Sequence, residues 1–221
     1  MSTDDSGPGT ELPAKAGRKI HGLDAVEREA QRREQILESA LTLFADHGYA
    51  NTSVEQVCAG ANVSTKSFYR IFDNREALYL AVYDAFRAMA FERMSATITE
   101  VSSSEATAEE RLVDALVSTY FDDARWALVI QGPSRAVTPT IERVRRDTRK
   151  GAAEFLEAAW RQFGLSGNYS GIAVAVVGGI FDLFTNALAD GRPLTDQELA
   201  DLRLETRRFY RAVRAGLAAV F

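Results

Sequence analysis

The stretch from Val54 to Phe72 constrains the fold of this chain more than any other. Its first half spaces apolar residues at i, i+3, i+4 and i+7, the pattern of one helical face: Val54, Val57, Cys58 and Ala61. Asn62 is the non-glycine residue type most at ease in the left-handed conformation that ends a helix. Ser64 is then suited to cap a second helix. The stretch therefore predicts two short helices joined by a tight turn.

The start of the first of these helices is marked twice. Thr52 with Glu55 and Ser53 with Gln56 both have capping-box spacing, so the start is fixed to within one residue. A longer helix precedes the pair, from about Asp24 to His47, and Gly48 ends it.

The second short helix has an inner and an outer face. Phe68, Ile71 and Phe72 face inward, which leaves a polar outer set: Thr65, Lys66, Ser67, Tyr69 and Arg70. A helix that starts with cations and hydroxyls can bring its positive dipole end to phosphates and its side chains to base edges in a major groove. The pattern favours helix-turn-helix DNA binding over an ordinary helical hairpin with a solvated face.

The flanking residues form an ordered pattern without gaps between Arg33 and Tyr83. Its members are Ile36-Leu37, Ala40-Leu41, Leu43-Phe44, Gly48-Tyr49, Thr52-Ser53-Val54, Val63-Ser64, Phe68-Tyr69, Phe72 and Arg75-Glu76-Ala77-Leu78. This pattern resembles the DNA-binding domain of the TetR (tetracycline repressor) family of bacterial regulators. Asn62 stands where that family usually has Gly, and Arg75 where it usually has Lys. Ile71 stands where His or Tyr is frequent, and because an Ile side chain cannot hydrogen-bond a phosphate, the resemblance does not carry over that contact to the DNA backbone.

The outer face and the resemblance together predict the residues that contact DNA. The first turns of the second short helix supply the base-reading group, which is Thr65, Lys66, Ser67 and Tyr69. Ser64 and Arg70 on the same helix are also predicted to contact DNA. Four further residues are predicted to hold phosphates, with Thr52 and Ser53 as alternatives at one position: Tyr49, Thr52, Ser53 and Arg75. The expected partner is a double-stranded DNA operator.

Composition limits the remaining possibilities. The chain has 221 residues, 46% of them apolar, which suffices for real cores. The net charge of −5 does not exclude nucleic acid, because cations cluster between Lys15 and Arg33 and DNA binding needs only a local cationic footprint. The one cysteine, Cys58, fits a reducing compartment, and no signal peptide is apparent, so we expect a cytoplasmic protein. The apolar run at 172–181 is too short to span a bilayer, and no membrane partner is expected.

The chain is predicted to be all-α, with about nine helices in two domains. Residues 1–22 form a disordered tail, residues 23–73 the helix-turn-helix DNA-binding domain, and residues 74–221 a larger ligand-binding and dimerisation domain. Helix 4, about 74–101, connects the two domains as a rigid rod. The end of the tail is either an arm that reaches a minor groove or simply solvated.

Helix 8, predicted at about 169–190, is nearly apolar on all sides over its first half, so it must be covered all round. Helix 9 follows it and is predicted to be capped by Thr195. A second copy of the chain would cover helix 8 if helices 8 and 9 packed on their copies as a four-helix bundle. The resemblance implies the same, since TetR-like proteins dimerise through their last two helices. The residues predicted at this homodimer interface are Val177, Phe184, Phe209, Val213 and Leu217.

Aromatic and polar residues mix along helices 4 to 8, which is compatible with a pocket for an unknown small-molecule effector or with plain core. The candidate pocket residues are Phe86, Met89, Tyr120, Trp126, Gln131, Phe155, Trp160, Phe181, Asp182 and Asn186. Asp182 and Asn186 lie one turn apart on an apolar helix. They either line the pocket or set the register of the dimer.

No catalytic constellation, metal-ligand spacing or phosphate loop is evident, so we predict no enzymatic activity, no cofactor and no metal. Cys58 is interpreted as a buried structural thiol. The cations of helix 7, from Arg143 to Lys150 and including Arg145, are interpreted as a solvated or salt-bridged face. The main prediction is a DNA-binding transcriptional regulator. Repression is the expected action, because it is the commoner one among proteins of the family that the chain resembles. The alternative is a small-molecule-binding or enzymatic helical protein whose helical hairpin is only structural.

Overall fold

The computed structural model describes residues 20–99, 105–133, 135–165 and 167–220, and within these ranges every regular element is an α-helix. The predicted all-helical class and the number of helices are confirmed. The described helices are α1 Ile20–His47, α2 Val54–Gly60, α3 Thr65–Ile71, α4 Arg75–Thr99, α5 Glu105–Phe121, α6 Ala124–Gln131, α7 Pro139–Gln162, α8 Ser170–Ala187 and α9 Asp196–Val220.

Two predicted boundaries can be compared with these elements. Most of the predicted tail, residues 1–19, lies outside the described residues, as does the candidate minor-groove arm up to Lys19. Helix α1 begins at Ile20, three residues inside the predicted tail, and α4 is described to Thr99 rather than to residue 101.

Helices α1, α2 and α3 form a small unit around aromatic side chains. The buried side chains at its centre include Phe44, Val57, Phe68 and Phe72. Such a small unit has little apolar area of its own. It shares its core with α4, whose Leu78 and Tyr79 are buried in the same cluster.

The first turns of α4 attach the small unit to the rest of the chain. The ring of Tyr79 lies 5.7 Å from that of Phe44 and 5.3 Å from that of Tyr49, measured between centroids. Its phenol donates a hydrogen bond of 2.8 Å to the carbonyl of Val129 on α6. Helix α4 therefore belongs to both domains, as a connecting rod should.

Helices α5 to α9 form the larger domain. Helix α5 packs between α4 and α9, and α7 packs against α8. Two ion pairs tie α5 to α9, Asp114 with Arg207 and Glu110 with Arg211. In the core Trp160 donates from Nε1 to the phenol oxygen of Tyr210 at 2.7 Å. A buried indole N–H with a partner avoids the cost of an unsatisfied donor.

Helix α8 buries one side against α7 and α9 and leaves the other exposed. Among the described helices it is the one long and apolar enough to cross a membrane by length and composition. Core helices of ordinary globular proteins meet the same criterion. Val174 is 53% exposed, while Val176 and Phe184 are buried. The single chain therefore covers only part of this apolar helix.

Candidate nucleic-acid interface and effector pocket

Ser53, and not Thr52, caps helix α2. The Ser53 hydroxyl accepts from the Gln56 amide at 3.2 Å, and the Ser53 amide donates to Gln56 Oε1 at 2.7 Å, which completes a capping box. Thr52 is only 1% exposed, and its hydroxyl donates to the carbonyls of Leu43 and Gly48. The prediction of Thr52 as a phosphate contact is corrected, because its hydroxyl already fastens α1 to the following loop. Ser53 remains at the surface.

The turn between α2 and α3 has the geometry that its sequence predicted. Asn62 has φ +52°, in the left-handed region, and the Val63 amide donates to the carbonyl of Cys58 at 3.0 Å. Gly60 lies against α1, where an added Cβ would come 2.4 Å from Ser39 Oγ. The small residue allows α2 to approach α1 closely, which fixes where the turn and α3 project.

Helix α3 has one buried anchor and an exposed outer face. Ser64 caps it by accepting from the Ser67 amide at 3.2 Å, and Phe68 is fully buried. Thr65 and Lys66 are exposed, and Tyr69 is 53% exposed with its ring edge against Phe68. The predicted base-reading side chains therefore lie together on the outer face at the start of α3. Ser67 is half-buried, and its hydroxyl shares a hydrogen bond of 3.0 Å with that of Ser64.

Arg70 stands at the other end of this face. Its Nε lies 3.4 Å from the carboxylate of Glu29 on α1, and both side chains are about half exposed. Exposed ion pairs of this kind contribute only about 0–1 kcal/mol. A phosphate can therefore compete with Glu29 for Arg70 at little cost.

Arg75 and Tyr49 form one stacked unit beside α2. Nη1 of Arg75 donates to the carbonyl of Thr52 at 2.7 Å, and the guanidinium lies 4.4 Å above the centre of the Tyr49 ring. The ring of Tyr49 meets Tyr79 edge to face. Both residues were predicted as phosphate contacts, and the structure gives them a further role in holding the loop before α2.

Cys58 is buried on the inner face of α2, as predicted. Burial raises the pKa of its thiol, and the nearby Glu55 carboxylate raises it further, against a smaller opposite effect of the Thr65 hydroxyl. A thiol with a raised pKa stays protonated near neutral pH and reacts poorly.

The larger domain has a cavity of about 570 Å³, partly open to solvent, between α4, α5, α7 and α8, and Tyr210 of α9 also lies in its wall. This volume is within the range of small-molecule sites, roughly 300–1,000 Å³. Four of the predicted pocket residues line it: Phe86, Tyr120, Phe155 and Phe181. Sequence reasoning missed other lining residues, among them Phe91, Leu116, Ala152 and Tyr210. Nothing in the periodicity separates these from ordinary core residues.

The other predicted pocket residues lie elsewhere, and their assignment is corrected. Trp160 is fully buried in the core against Tyr210. Gln131 accepts a long hydrogen bond from the Thr185 hydroxyl, and Met89 and Trp126 are half-buried at the edge of the core. Asp182 and Asn186 on α8 are exposed and lie outside the cavity, so their assignment to the pocket is wrong. A role in setting the register of a dimer stays a prediction.

The cations of α7 do not all lie on a solvated face, because Arg145 is buried. Its Nη2 donates to the Tyr79 phenol at 3.1 Å and to the carbonyl of Ile130 at 3.3 Å. Its Nε is buried without a hydrogen-bond partner. Burial also raises the pKa of Tyr79, partly offset by the Arg145 charge. Arg145 thereby joins α7 to α4 and α6, next to the aromatic contacts that hold the DNA-binding unit.

A second connection runs directly from α6 to α1. Arg125 pairs with Asp123 on its own helix cap and donates from Nη1 to Thr42 at 2.8 Å and to the Glu38 carboxylate. The cavity wall and the DNA-binding unit are thus linked through both α4 and α6.

The residues predicted at the dimer interface need correction. Val177, Phe184 and Leu217 are buried in their own chain, so they have no free area for a partner. Phe209 and Val213 are half-buried, and the Phe209 ring fills the crossing of α8 and α9 so closely that a Cβ on Gly179 would lie 2.7 Å from it.

A different face of α8 is free. Its members recur at helical spacing and are exposed or, for Gly178, partly exposed: Gly171, Val174, Ala175, Gly178, Asp182 and Asn186. A Cβ added at Gly171 or Gly178 would meet nothing within 4 Å. We call this set the free face of α8.

A capped helix pair at a fixed turn, with a polar outer face on its second helix, has the geometry of a helix-turn-helix motif. Residues 36–82 match the family model described as bacterial regulatory proteins, tetR family. Over these residues the helix-turn-helix unit is similar to that of the TetR family of bacterial regulatory proteins.

Curated relatives have partial similarity to the chain. The uncharacterised HTH-type transcriptional regulator YuxN of Bacillus subtilis is 25% identical over 126 residues, which cover 57% of this chain and 43% of YuxN. The HTH-type transcriptional repressor KstR2 of Rhodococcus jostii is 28% identical over 99 residues, 45% of this chain and 46% of that protein. The chain spans half or less of the length of the first curated relatives it matches.

Solved structures extend the likeness of the fold over most of the chain. The fatty acid degradation regulator FadR from Bacillus halodurans superimposes with a TM-score of 0.68 at 17% identity, over 80% of this chain and 93% of that one. FadR from Bacillus subtilis, solved in complex with stearoyl-CoA, gives a TM-score of 0.66 at 18% identity, over 79% and 95% of the two chains. At such identities the likeness concerns the fold alone.

Proposed function

We propose that this chain is a homodimeric transcriptional regulator of the cytoplasm that binds a near-palindromic operator and is released by a small molecule. The observation that carries the proposal is the outer face of α3, which a buried Phe68 and a Ser64 cap hold in a fixed orientation. Relatives with the same domain are named as regulators, one of them a repressor, so repression is the proposed action. We assign no enzymatic reaction to it.

Base reading is assigned to the exposed residues Thr65, Lys66 and Tyr69 at the start of α3. In helix-turn-helix complexes the first turns of the second helix meet base edges in the major groove. The cap residue Ser64 and the positive end of the helix lie at the same place, which favours a neighbouring phosphate. Ser53 and the Arg75–Tyr49 unit stand beside α2, where they are available to a flanking backbone.

The dimer is proposed to form through the free face of α8. Val174 is 53% exposed there, and Ile172 is also exposed, although both are apolar. An apolar surface beside small residues allows close contact with a second copy, and a two-fold interface uses the same patch on both chains. Two recognition helices held about 34–36 Å apart would then reach successive major grooves.

The effector is proposed to occupy the cavity between α4, α5, α7 and α8. A ligand there contacts Phe86 on α4. Phe86 lies one helical turn after Tyr83 and two turns after Tyr79. A shift of α4 or α7 would reach the DNA-binding unit through the Arg145–Tyr79 contacts. Binding that favours one arrangement of the dimer over the other is sufficient for release. The acyl-CoA bound by the structurally similar FadR supports an effector in this kind of domain.

Selection from a random duplex library tests this function without knowledge of the operator. The purified full-length protein is mixed with the library, and bound duplexes are recovered and sequenced over several rounds. The proposal predicts an enriched inverted repeat with half-site centres about one helical turn apart. Recovery of no common sequence would contradict it.

Lys66→Ala is expected to weaken binding to the selected operator by roughly 1–3 kcal/mol if Lys66 contacts a base. The physical reason is the loss of donors to an acceptor on a base edge, which a water cannot replace with the same geometry. Fluorescence anisotropy titrations on the operator and on a shuffled duplex measure the effect. Lys150→Ala is the matched control, since Lys150 is also an exposed lysine but lies on α7, outside the helix-turn-helix unit. An equal loss on both duplexes would reassign Lys66 to phosphate binding.

Arg75→Ala is expected to weaken binding to all duplexes alike and to reduce the slope of log K against log salt by roughly one unit. Nη1 makes the bonds to the loop carbonyls, so the other donors of the guanidinium remain for a phosphate. Titrations at several salt concentrations give the slope, and Arg146→Ala, which removes an exposed arginine on α7, is the control. An unchanged slope would mean that Arg75 only positions the loop.

A further inference from the structure

We infer that the cavity takes an uncharged, mainly hydrocarbon molecule, not one that carries a carboxylate, sulfate or phosphate. This inference rests on the proposed effector role of the cavity and names the chemical class of its ligand. It follows from the positions of every polar group in the described cavity wall.

The deep part of the cavity is apolar and aromatic. The centroids of Phe86 and Tyr120 are 4.6 Å apart, and Phe181 lies 5.9 Å from Tyr120, so these rings form a continuous surface. Aliphatic side chains add to this apolar wall, among them Leu112, Val113, Leu116, Leu156, Val177 and Ile180. A cavity of about 570 Å³ corresponds to about 19 water molecules at their share of liquid volume. The ligand is therefore of drug-like size, and hydrocarbon contact dominates its binding.

The polar side chains of the wall that are buried or half-buried carry neutral hydroxyls, and these already have partners. Burial raises the pKa of Tyr120 far above its usual range, partly offset by a hydrogen bond with Gln131, so its phenol stays protonated. Tyr210 accepts from Trp160, and the Thr148 hydroxyl donates to the carbonyl of Val144 at 2.8 Å. These groups can orient one hydroxyl or carbonyl of a ligand, but none of them can neutralise a charge.

The charged residues of the described wall are all exposed. They are Asp84, Arg87 and Asp147, and Arg87 already donates to the Asp84 carboxylate at 3.0 Å. The nearby Lys150 lies 3.8 Å from Glu154. A charge taken into the apolar interior without a partner costs several kcal/mol. The buried part of the wall therefore offers no charged partner to an anionic group, which would lose its solvation there without compensation.

Two fluorescent probes with the same ring system and different charge test this inference. N-Phenyl-1-naphthylamine is uncharged, and 1-anilinonaphthalene-8-sulfonate adds one sulfonate; both brighten in apolar surroundings. Titration into the full-length protein is expected to saturate with the uncharged probe at one molecule per chain. The sulfonate is expected to bind at least tenfold more weakly.

A cavity-filling variant locates the site. Ala152→Phe places a ring in the cavity and is expected to weaken binding of the uncharged probe at least tenfold. Ala158→Phe lies on the exposed side of the same helix and is expected to leave the affinity for this probe unchanged. Gly151→Phe is a second filling variant, because a Cβ there meets nothing within 4 Å. Circular dichroism checks that all three variants fold.

Three outcomes would overturn the inference: equal binding of both probes, no binding of either, or binding of the uncharged probe that the filling variants leave intact. Stearoyl-CoA, which is anionic, and hexadecanol, which is uncharged, are each titrated as competitors of the bound uncharged probe. Displacement of the probe by stearoyl-CoA at a lower concentration than hexadecanol requires would also overturn the inference. Operator binding is measured separately on the same protein. A protein that binds the uncharged probe but no DNA would refute the proposed function and leave the ligand class standing.

Discussion

A protein carrying Ala175→Glu is expected to sediment as a monomer and to lose operator binding, although its DNA-binding unit is unchanged. Ala175 lies on the free face of α8, next to the exposed Val174 and to Gly178, where an added side chain has open space. The single chain therefore accommodates a glutamate there. In a two-fold dimer the same change places two carboxylates in an apolar interface.

The expected size of this effect is large. An unpaired buried charge costs several kcal/mol, and each 1.4 kcal/mol is a factor of ten in the dissociation constant. Dimerisation should weaken by more than about 100-fold. Operator affinity should fall together with dimerisation, because a monomer contacts only one half-site and its single recognition helix makes few base contacts.

Two further substitutions make the comparison sharp. Ala158→Glu adds the same charge on the exposed side of α7 and should leave the dimer intact. Val177→Glu, two residues from Ala175, should instead unfold the chain, because Val177 is buried in its core. Sedimentation and circular dichroism of all three variants distinguish loss of assembly from loss of fold. A dimeric, DNA-binding Ala175→Glu variant would place the interface elsewhere.

Phe68→Ala is expected to destabilise the helix-turn-helix unit by roughly 3–5 kcal/mol. Phe68 is fully buried, and its ring contacts that of Phe72 in a unit with few other apolar side chains. Because Phe68 anchors the inner side of α3, its loss should also release the recognition helix from its fixed orientation. Thermal unfolding followed by circular dichroism should then show an earlier transition, and operator binding should be lost.

Tyr69→Ala is the matched control for this prediction, one residue further along the same helix. Tyr69 is 53% exposed, so its removal should change the free energy of unfolding by no more than about 0.5 kcal/mol. It should nevertheless weaken operator binding if the phenol contacts DNA. Equal stability of the two variants would contradict the assignment of Phe68 as the anchor of α3.

The sequence predicted those features that depend on local chemistry. Asn62 was assigned to the turn because few other residues tolerate a left-handed backbone, and Ser64 because a hydroxyl caps a helix. At residues 52 and 53 two capping boxes were possible. Only the fold decides between them, since it turns the Thr52 hydroxyl towards α1.

Features that depend on tertiary packing were harder to predict. Helical periodicity marks an apolar residue such as Val177 in the same way whether it faces its own core or a partner chain. The same periodicity does not distinguish the residues of the free face of α8 from the rest of that apolar helix. Arg145 was grouped with the other cations of α7, because the residues next to it in the sequence do not indicate burial. Its hydrogen-bond partner, Tyr79, is 66 residues away in the chain. The cavity likewise depends on which aromatic side chains fail to fill the space between four helices.

The most direct test of the central claim is a titration of the wild-type protein on duplex DNA flanking its own gene. Anisotropy gives the affinity at several salt concentrations, and sedimentation of the complex gives the number of chains per duplex. We predict tight, salt-dependent binding by two chains, or a multiple of two, and at least 1,000-fold weaker binding to unrelated DNA, which is about the lower limit for specific recognition. Equal affinity for flanking and unrelated DNA, or one chain per palindrome, would contradict the account.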